Sequence, residues 1–305
     1  MLIDLLISGI LAFIMLSVGL ALRMEHFRLV FKHPRSLLLG LFLQLVCLPL
    51  LAFGIAAVSP LPGSLAAGVL LLAACPGGMT SNFISYLLEG NTALSVTLTI
   101  CNSILALVTI PFIVNYGLDY FSVGLGRPLG QLPFSPTVGR IFLIVLVPVL
   151  VGLGIAKLAP ARAKRAQLSL RWLTLALLAS LFTIKFLAPA DAGGSGLTLA
   201  EIALILPVSL AVNVAALTLG WLLSRAAGLP RNDQLTLGVE IGIQNTSLAF
   251  LIAGTLLANE DLLKPALVYA MFSFFTAVAY GLLLKPRQLP RLREQYREWR
   301  AQRVE

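Results

Sequence analysis

The chain has 305 residues, of which 58% are apolar and only 11% charged, against about 25% charged in ordinary soluble domains. That balance excludes a soluble globule, and continuous apolar runs recurring from end to end indicate helices that cross a bilayer. The net charge of +9 does not describe a nucleic-acid groove, because nearly all the basic residues fall in short loops and in the C-terminal tail.

In chain order, the run from Leu2 to Leu22 has no positive charge before it and is longer than the apolar core of a signal peptide. It is read as a retained first span. Nine spans are predicted, over residues 3–23, 36–58, 64–88, 91–114, 136–158, 168–187, 199–224, 232–257 and 263–284. Turn-forming clusters separate them: "SPLPGS" (59–64), "LEGN" (88–91), "APADAGGSG" (188–196) and "GLPRND" (228–233). The longest connection, 115–135, is rich in Gly and Pro. Alternate ends hold eighteen of the 22 Lys and Arg, which predicts the N-terminus outside and the C-terminus in the cytoplasm. The exceptions are Arg127 and Lys264, placed in loops, and Arg140 and Lys185, near span ends. Cys47, Cys75 and Cys101 lie within spans and read as small packing residues.

Two spans differ from the rest. The third contains "CPGGMTSN" (75–82), where Pro76, Gly77 and Gly78 should break the helix. The eighth contains "EIGIQNTS" (240–247), which Gly242 and a polar cluster should loosen. They lie five spans apart, so they cross in opposite directions, and one more span follows each. Interrupted helices at matching places in two opposed halves point to a secondary transporter's binding site. The division expected is a first repeat of four spans over 1–114, an outer connection over 115–135, a second repeat of five spans over 136–284, and a basic cytoplasmic tail over 285–305.

Glu240 stands near mid-bilayer, where a carboxylate costs several kcal/mol. Its bland reading is a structural ion pair, but the one basic candidate within a span, Lys185, lies near a helix end and is expected to snorkel. Gln244 follows Glu240 at i+4, Ser95 and Thr99 are likewise i and i+4, Ser81 and Asn82 follow the Pro-Gly-Gly break, and Gln44 lies in the second span. A lone Ser or Thr in a membrane helix usually bonds its own backbone. As a set these residues supply oxygens and one negative charge, which suits a hard monovalent cation rather than a transition metal. Enzyme chemistry has no support: His26 and His33 share one loop, and "GGSGLT" (193–198) lacks the Lys of a phosphate loop. The terminal "RLREQYREWRAQR" reads as a topology anchor.

"CPGGMTSN" followed by "ALSVTLT" (93–99), paired with "EIGIQNTSLA" (240–249), resembles the bile acid:sodium symporter family, and the likeness runs in order from "FKHPRSLLLGLFLQ" (31–44) to the last span. The resemblance implies an all-α polytopic membrane protein with inverted repeats, a core and a panel domain, and two broken helices that cross. It implies one sodium held by Ser81, Asn82, Ser95, Thr99 and Glu240. A second would be held by Gln44, Glu240, Gln244 and the carbonyls of Ile241 and Ile243. The anion is then expected beside Met79, Thr80, Asn245 and Phe274. Many bacterial members have ten spans; this chain resembles the nine-span type. It departs from many bacterial members in "AMFSFFTAVAYG" (270–281), where Phe274 and Phe275 replace a His-Asn pair, and Met79 stands where a small polar residue is common. Both point to a less polar pocket.

The function expected is sodium-coupled symport of a small organic anion, such as a bile acid, a pantothenate-like vitamin or a keto acid, across a bacterial inner membrane. Sodium is the coupling ion and no other cofactor or nucleic acid is involved. A proton-coupled carrier or an exporter using Glu240 stays open. So does, more remotely, a channel-like or sensory protein, as do the anion's identity and the oligomeric state.

Overall fold

The fold is given by a computed structural model that describes residues 2–21, 34–123, 128–188 and 193–285. The loop with His26 and His33, Arg127, and the tail from residue 286 lie outside them. Every described element is a helix. In order they are α1 (Leu2–Ala21), α2 (Pro34–Val58, with a π-helical turn at Leu43–Cys47), α3 (Gly63–Ala74), α4 (Met79–Leu87) and α5 (Thr92–Ser122). Then come α6 (Phe134–Leu158), α7 (Pro160–Leu187), α8 (Leu199–Ala226) and α9 (Arg231–Gly242). The last are α10 (Thr246–Phe250, running on through a wide turn at Leu251–Leu256) and α11 (Glu260–Leu284). Six helices among the described residues are long and apolar enough to cross a membrane; α3 and α4, bent by 62° at their break, make a seventh if taken as one span.

Both interruptions expected from the sequence are present. α3 ends at Ala74 and α4 begins at Met79, so the break falls on Cys75, Pro76, Gly77 and Gly78. The second break lies slightly later than expected: α9 persists through Gly242, and Ile243, Gln244 and Asn245 leave the helix. α9 and α10 are the most deeply buried span, with 94% of its apolar window inside the protein, which explains why so polar a sequence tolerates this depth.

The helices pack in two groups. α1, α6 and α7 lie against one another, and the remaining helices surround the two interrupted ones. Glycines bring backbones together within each group. Gly19 and Gly152 place α1 directly on α6, and a Cβ on Gly68 would meet Leu262 O of α11 at 2.6 Å. Small residues at crossings are how helices approach closely in lipid. Gly220 of α8 faces Gly238 of α9, and a Cβ there would lie 2.8 Å from Leu237 O and 2.9 Å from Gly238 Cα. Because backbone cannot yield as a side chain does, Gly220→Ala should cost about 1–3 kcal/mol, seen as a lowered melting temperature in detergent. At one end of the molecule the buried Asp233 accepts Ser36 Oγ at 2.6 Å and Asn91 Nδ2 at 2.8 Å, tying the starts of α2, α5 and α9 together.

Several boundaries and charges depart from expectation. α5 continues to Ser122, eight residues into the supposed connection 115–135. Its extension is held by Tyr116, Tyr120 and Phe121 around Phe53, and by Asn115, which accepts from Leu132 N at 2.7 Å and donates to Leu132 O at 2.9 Å. α7 begins at Pro160, since proline suits a first helical turn. Lys264 is not in a loop: α11 starts at Glu260, and Lys264 is buried against Glu201 at 2.6 Å and Asp261 at 2.7 Å. Lys185 does not snorkel. Its side chain is 3% exposed and pairs with Glu260 at 2.7 Å.

Candidate functional site

The two breaks lie against each other. Asn245 N–H donates to Pro76 O at 2.9 Å, joining one interruption to the other. Gly77 is bare because Glu240 occupies the space beside it: a Cβ there would stand 2.5 Å from Glu240 Oε1. A sharp turn of chain with no side chain thus delivers the carboxylate of α9 to the start of α4.

Around Glu240 the structure gathers all the oxygens assigned to the first cation position. Ser95 Oγ is 2.8 Å from Glu240 Oε2 and 2.7 Å from Asn82 Oδ1. Thr99 Oγ1 is 2.7 Å from Glu240 Oε1 and 3.2 Å from Asn82 Oδ1. Ser81 reaches Glu240 too, while its hydroxyl donates to Gly78 O at 2.8 Å. The i, i+4 spacing of Ser95 and Thr99 puts both hydroxyls on the face of α5 that meets Glu240. Glu240 is wholly buried, and among the described residues no ion pair includes it.

Hydrogen counting shows what this cluster lacks. Four short oxygen contacts join Ser95 and Thr99 to Asn82 and Glu240, yet each hydroxyl has a single hydrogen to give. Turning the Asn82 amide round would serve the contacts but would leave the buried carboxylate charge uncompensated. Either an added cation or a proton on Glu240 answers both deficits. Among the described residues no three His, Cys, Asp or Glu come together as a transition-metal site would need.

The second position is assembled in part. Gln44 Nε2, from the π-helical turn of α2, donates to Cys75 O and to Gln244 Oε1, each at 3.0 Å, and Gln244 Nε2 donates to Ile241 O at 2.6 Å. Gln44, Gln244 and Ile241 therefore form one chain, and among the described residues no side-chain hydrogen bond joins Glu240 or the buried Ile243 to it. Gln44 Oε1 is buried with no partner, an acceptor with capacity to spare.

Beside the breaks runs a crevice between the two helix groups. One wall is apolar, made by Met15, Val18, Val145 and Val149 of α1 and α6. The other carries Gly77, Gly78, Met79, Thr99, Ser103 and Asn245. Of the residues expected at the anion, Met79 and Asn245 line this crevice. Thr80 and Phe274 do not; Phe274 stacks on Phe83 with centroids 6.5 Å apart. Sequence reasoning passed over Asn102, one turn beyond Thr99, which is fully buried with neither amide atom bonded. It also passed over Asn213, Tyr269 and Thr276 around Gly242 O. A lone carboxamide in a predicted span gives no signal that separates these from ordinary helix contacts.

The model of the sodium/bile acid symporter family matches residues 9–192. The chain belongs to that family. Among its relatives is a probable sodium/metabolite cotransporter, BASS2, of rice chloroplasts (Oryza sativa subsp. japonica), 31% identical over 92% of this chain and 64% of the relative. Another is the uncharacterized sodium-dependent transporter YocS of Bacillus subtilis, 30% identical over 81% of this chain and 73% of the relative. The human ileal sodium/bile acid cotransporter is 28% identical over 89% of this chain and 76% of its own length. The chain thus spans just under two thirds of the rice protein. These symporter relatives are transporters rather than enzymes, and with the apolar helices they make this chain a multi-pass membrane protein.

Proposed function

We propose that the chain is a sodium-coupled symporter of a small organic anion that works by alternating access in a bacterial inner membrane. The observation that carries this reading is the fully buried Glu240, ringed by Ser81, Asn82, Ser95 and Thr99 with no cationic side chain among the described residues to balance it. Sodium at that position supplies the missing charge and accepts the surplus lone pairs. A second sodium draws on Gln44 Oε1, Glu240, Gln244 and the carbonyls of Ile241 and Ile243.

The architecture proposed with it has nine spans. The interrupted pairs α3–α4 and α9–α10, each followed by one long helix, are the matching parts of two inverted repeats, the first ending with α5 at Ser122 and the second beginning with α6 at Phe134. α1, α6 and α7 form a panel, and the other helices a core. The N-terminus faces outward, and the basic tail from 285 faces the cytoplasm. The crevice has only about 20 Å³ of free space here, so the anion binds at Met79 and Asn245 once the crevice has widened, with its apolar part on Met15, Val18, Val145 and Val149. The uncapped N-terminus of α4 at Gly78 and Met79 faces its carboxylate. Two sodium ions, Glu240 and a monoanion sum to zero charge, and a neutral load passes a low-dielectric barrier far more easily than a charged one.

Proteoliposomes holding only this protein test the reading. An inward sodium gradient should drive accumulation of at least one of a set of carboxylate anions, taurocholate, pantothenate and pyruvate among them, where potassium does not. Accumulation driven by a proton gradient and indifferent to sodium would replace the reading with a proton-coupled carrier. Gln44→Ala should lower the Hill coefficient for sodium toward about one, because it removes one cation position and spares the other. A titration as sigmoidal as the wild type's would remove Gln44 from the site.

A further inference from the structure

Each interrupted helix ends its first half on a carbonyl held by a carboxamide from the helix before it. Gln44 of α2 donates to Cys75 O, and Asn213 of α8 donates to Gly242 O at 2.6 Å. The two carboxamides differ in what remains free. Gln44 keeps an unpartnered oxygen. Asn213 keeps nothing: its second N–H reaches Tyr269 Oη at 2.9 Å, and its Oδ1 lies 2.6 Å from Thr276 Oγ1. The Tyr269 hydroxyl itself donates to Gly242 O. The direction of every bond is fixed, because reversing the Asn213 amide would set its oxygen against the Gly242 oxygen. Asn213 and Tyr269 thus hold a single backbone oxygen between them, and Thr276 backs Asn213 with its one hydroxyl hydrogen, for which Ser273 O at 2.9 Å and Phe272 O at 3.4 Å in its own helix are the more distant acceptors.

The residue after Gly242 gives that network a purpose. Ile243 is extended, with φ −120° and ψ 116°, and in extended chain successive carbonyls point to opposite sides. Drawing Gly242 O toward α8 and α11 turns Ile243 O the other way. We infer that Asn213, Tyr269 and Thr276 are positioning residues for the second sodium: they touch no ion, but by anchoring Gly242 O they aim the Ile243 carbonyl at the cation. Gly242 leaves no room for a side chain, since Leu217 of α8 fills the space a Cβ would take. The inference rests on the cation positions proposed for the symporter.

Sodium-induced thermal stabilisation of the purified full chain tests it, with sodium chloride exchanged for potassium chloride at constant ionic strength. Tyr269→Phe should raise the half-saturating sodium roughly five- to tenfold, as loss of one buried network bond does, and also lower the melting temperature in potassium, since it leaves an Asn213 N–H without its acceptor. Thr276→Val should shift it the same way by less, and Thr276→Ser, which keeps the hydroxyl, should restore the wild-type curve. If Tyr269→Phe and Thr276→Val lower the melting temperature equally in both salts and keep the wild-type half-saturation, the network is only structural and the inference is overturned. If the wild type itself is stabilised no better by sodium than by potassium, the sodium reading falls and this inference with it.

Discussion

Glu240→Ala is expected to abolish sodium-dependent uptake and sodium-induced stabilisation while the protein still inserts and folds. Glu240 is the only carboxylate among the five side chains at the first position, and the proposal has the second position share it. Hydrogen bonds to an ionised group are worth about 1.5–3 kcal/mol each, so losing it should weaken sodium binding by a hundredfold or more. Folding is not at risk on the same scale. A buried carboxylate with no cationic partner is a cost to the apo protein, and replacing it with a neutral group relieves that cost. Glu240→Ala trades that cost for a cavity and for Ser95 and Thr99 hydroxyls left without their acceptor, so it should melt close to the wild-type temperature in potassium and gain nothing from sodium. Glu240→Gln keeps the shape and should also fail to bind sodium, which separates charge from volume. Uptake as steeply sodium-dependent as the wild type's in either variant would remove Glu240 from the coupling site.

The second large effect comes from a glycine that carries no chemistry. A methyl group on Gly77 would lie 2.5 Å from Glu240 Oε1 and 3.2 Å from Ser81 Oγ, so Gly77→Ala has to displace one of them by about an ångström. Binding constellations tolerate displacements of about 0.5 Å. Gly77→Ala should lower sodium affinity at least tenfold and cost about 1–3 kcal/mol in stability through overpacking. Its neighbour is the control. A Cβ on Gly78 would meet nothing nearer than Asn245 Cγ at 3.7 Å, and its φ of −138° suits any residue. Gly78→Ala should leave sodium binding within about twofold of wild type. Equal loss in both variants would mean that flexibility of the break, rather than the space beside Glu240, is what the glycines provide.

The break in the third span was legible because proline and glycine write it into the local sequence, and the structure breaks there. The eighth span was harder. Gly242 was the visible weak point, yet α9 runs through it and the helix opens over Ile243, Gln244 and Asn245, none of them a strong breaker. That opening is made by tertiary bonds: Asn245 N–H to Pro76 O, and Asn213 and Tyr269 to Gly242 O. Such partners lie distant in sequence and leave no local trace. The same holds for Lys185 and Lys264. Each looked like a cation seeking water, and each is buried because an acidic residue of another helix, Glu260 or Glu201, meets it. α5 outran its expected end because Asn115, Tyr116 and Tyr120 read as loop residues by composition but are held by Leu132 and Phe53. The oxygens around Glu240 were legible as a set because hydroxyl, amide and carboxylate recur there at helical spacing inside apolar runs.

The central claim is that the buried carboxylate and its oxygen ring exist to hold sodium. Equilibrium binding of radiolabelled sodium to the purified wild type, with lithium and potassium as competitors, tests it most directly. Two sodium ions per chain should bind saturably, be displaced poorly by the other cations, and be lost in Glu240→Gln. No saturable binding, or binding that Glu240→Gln retains in full, would contradict it.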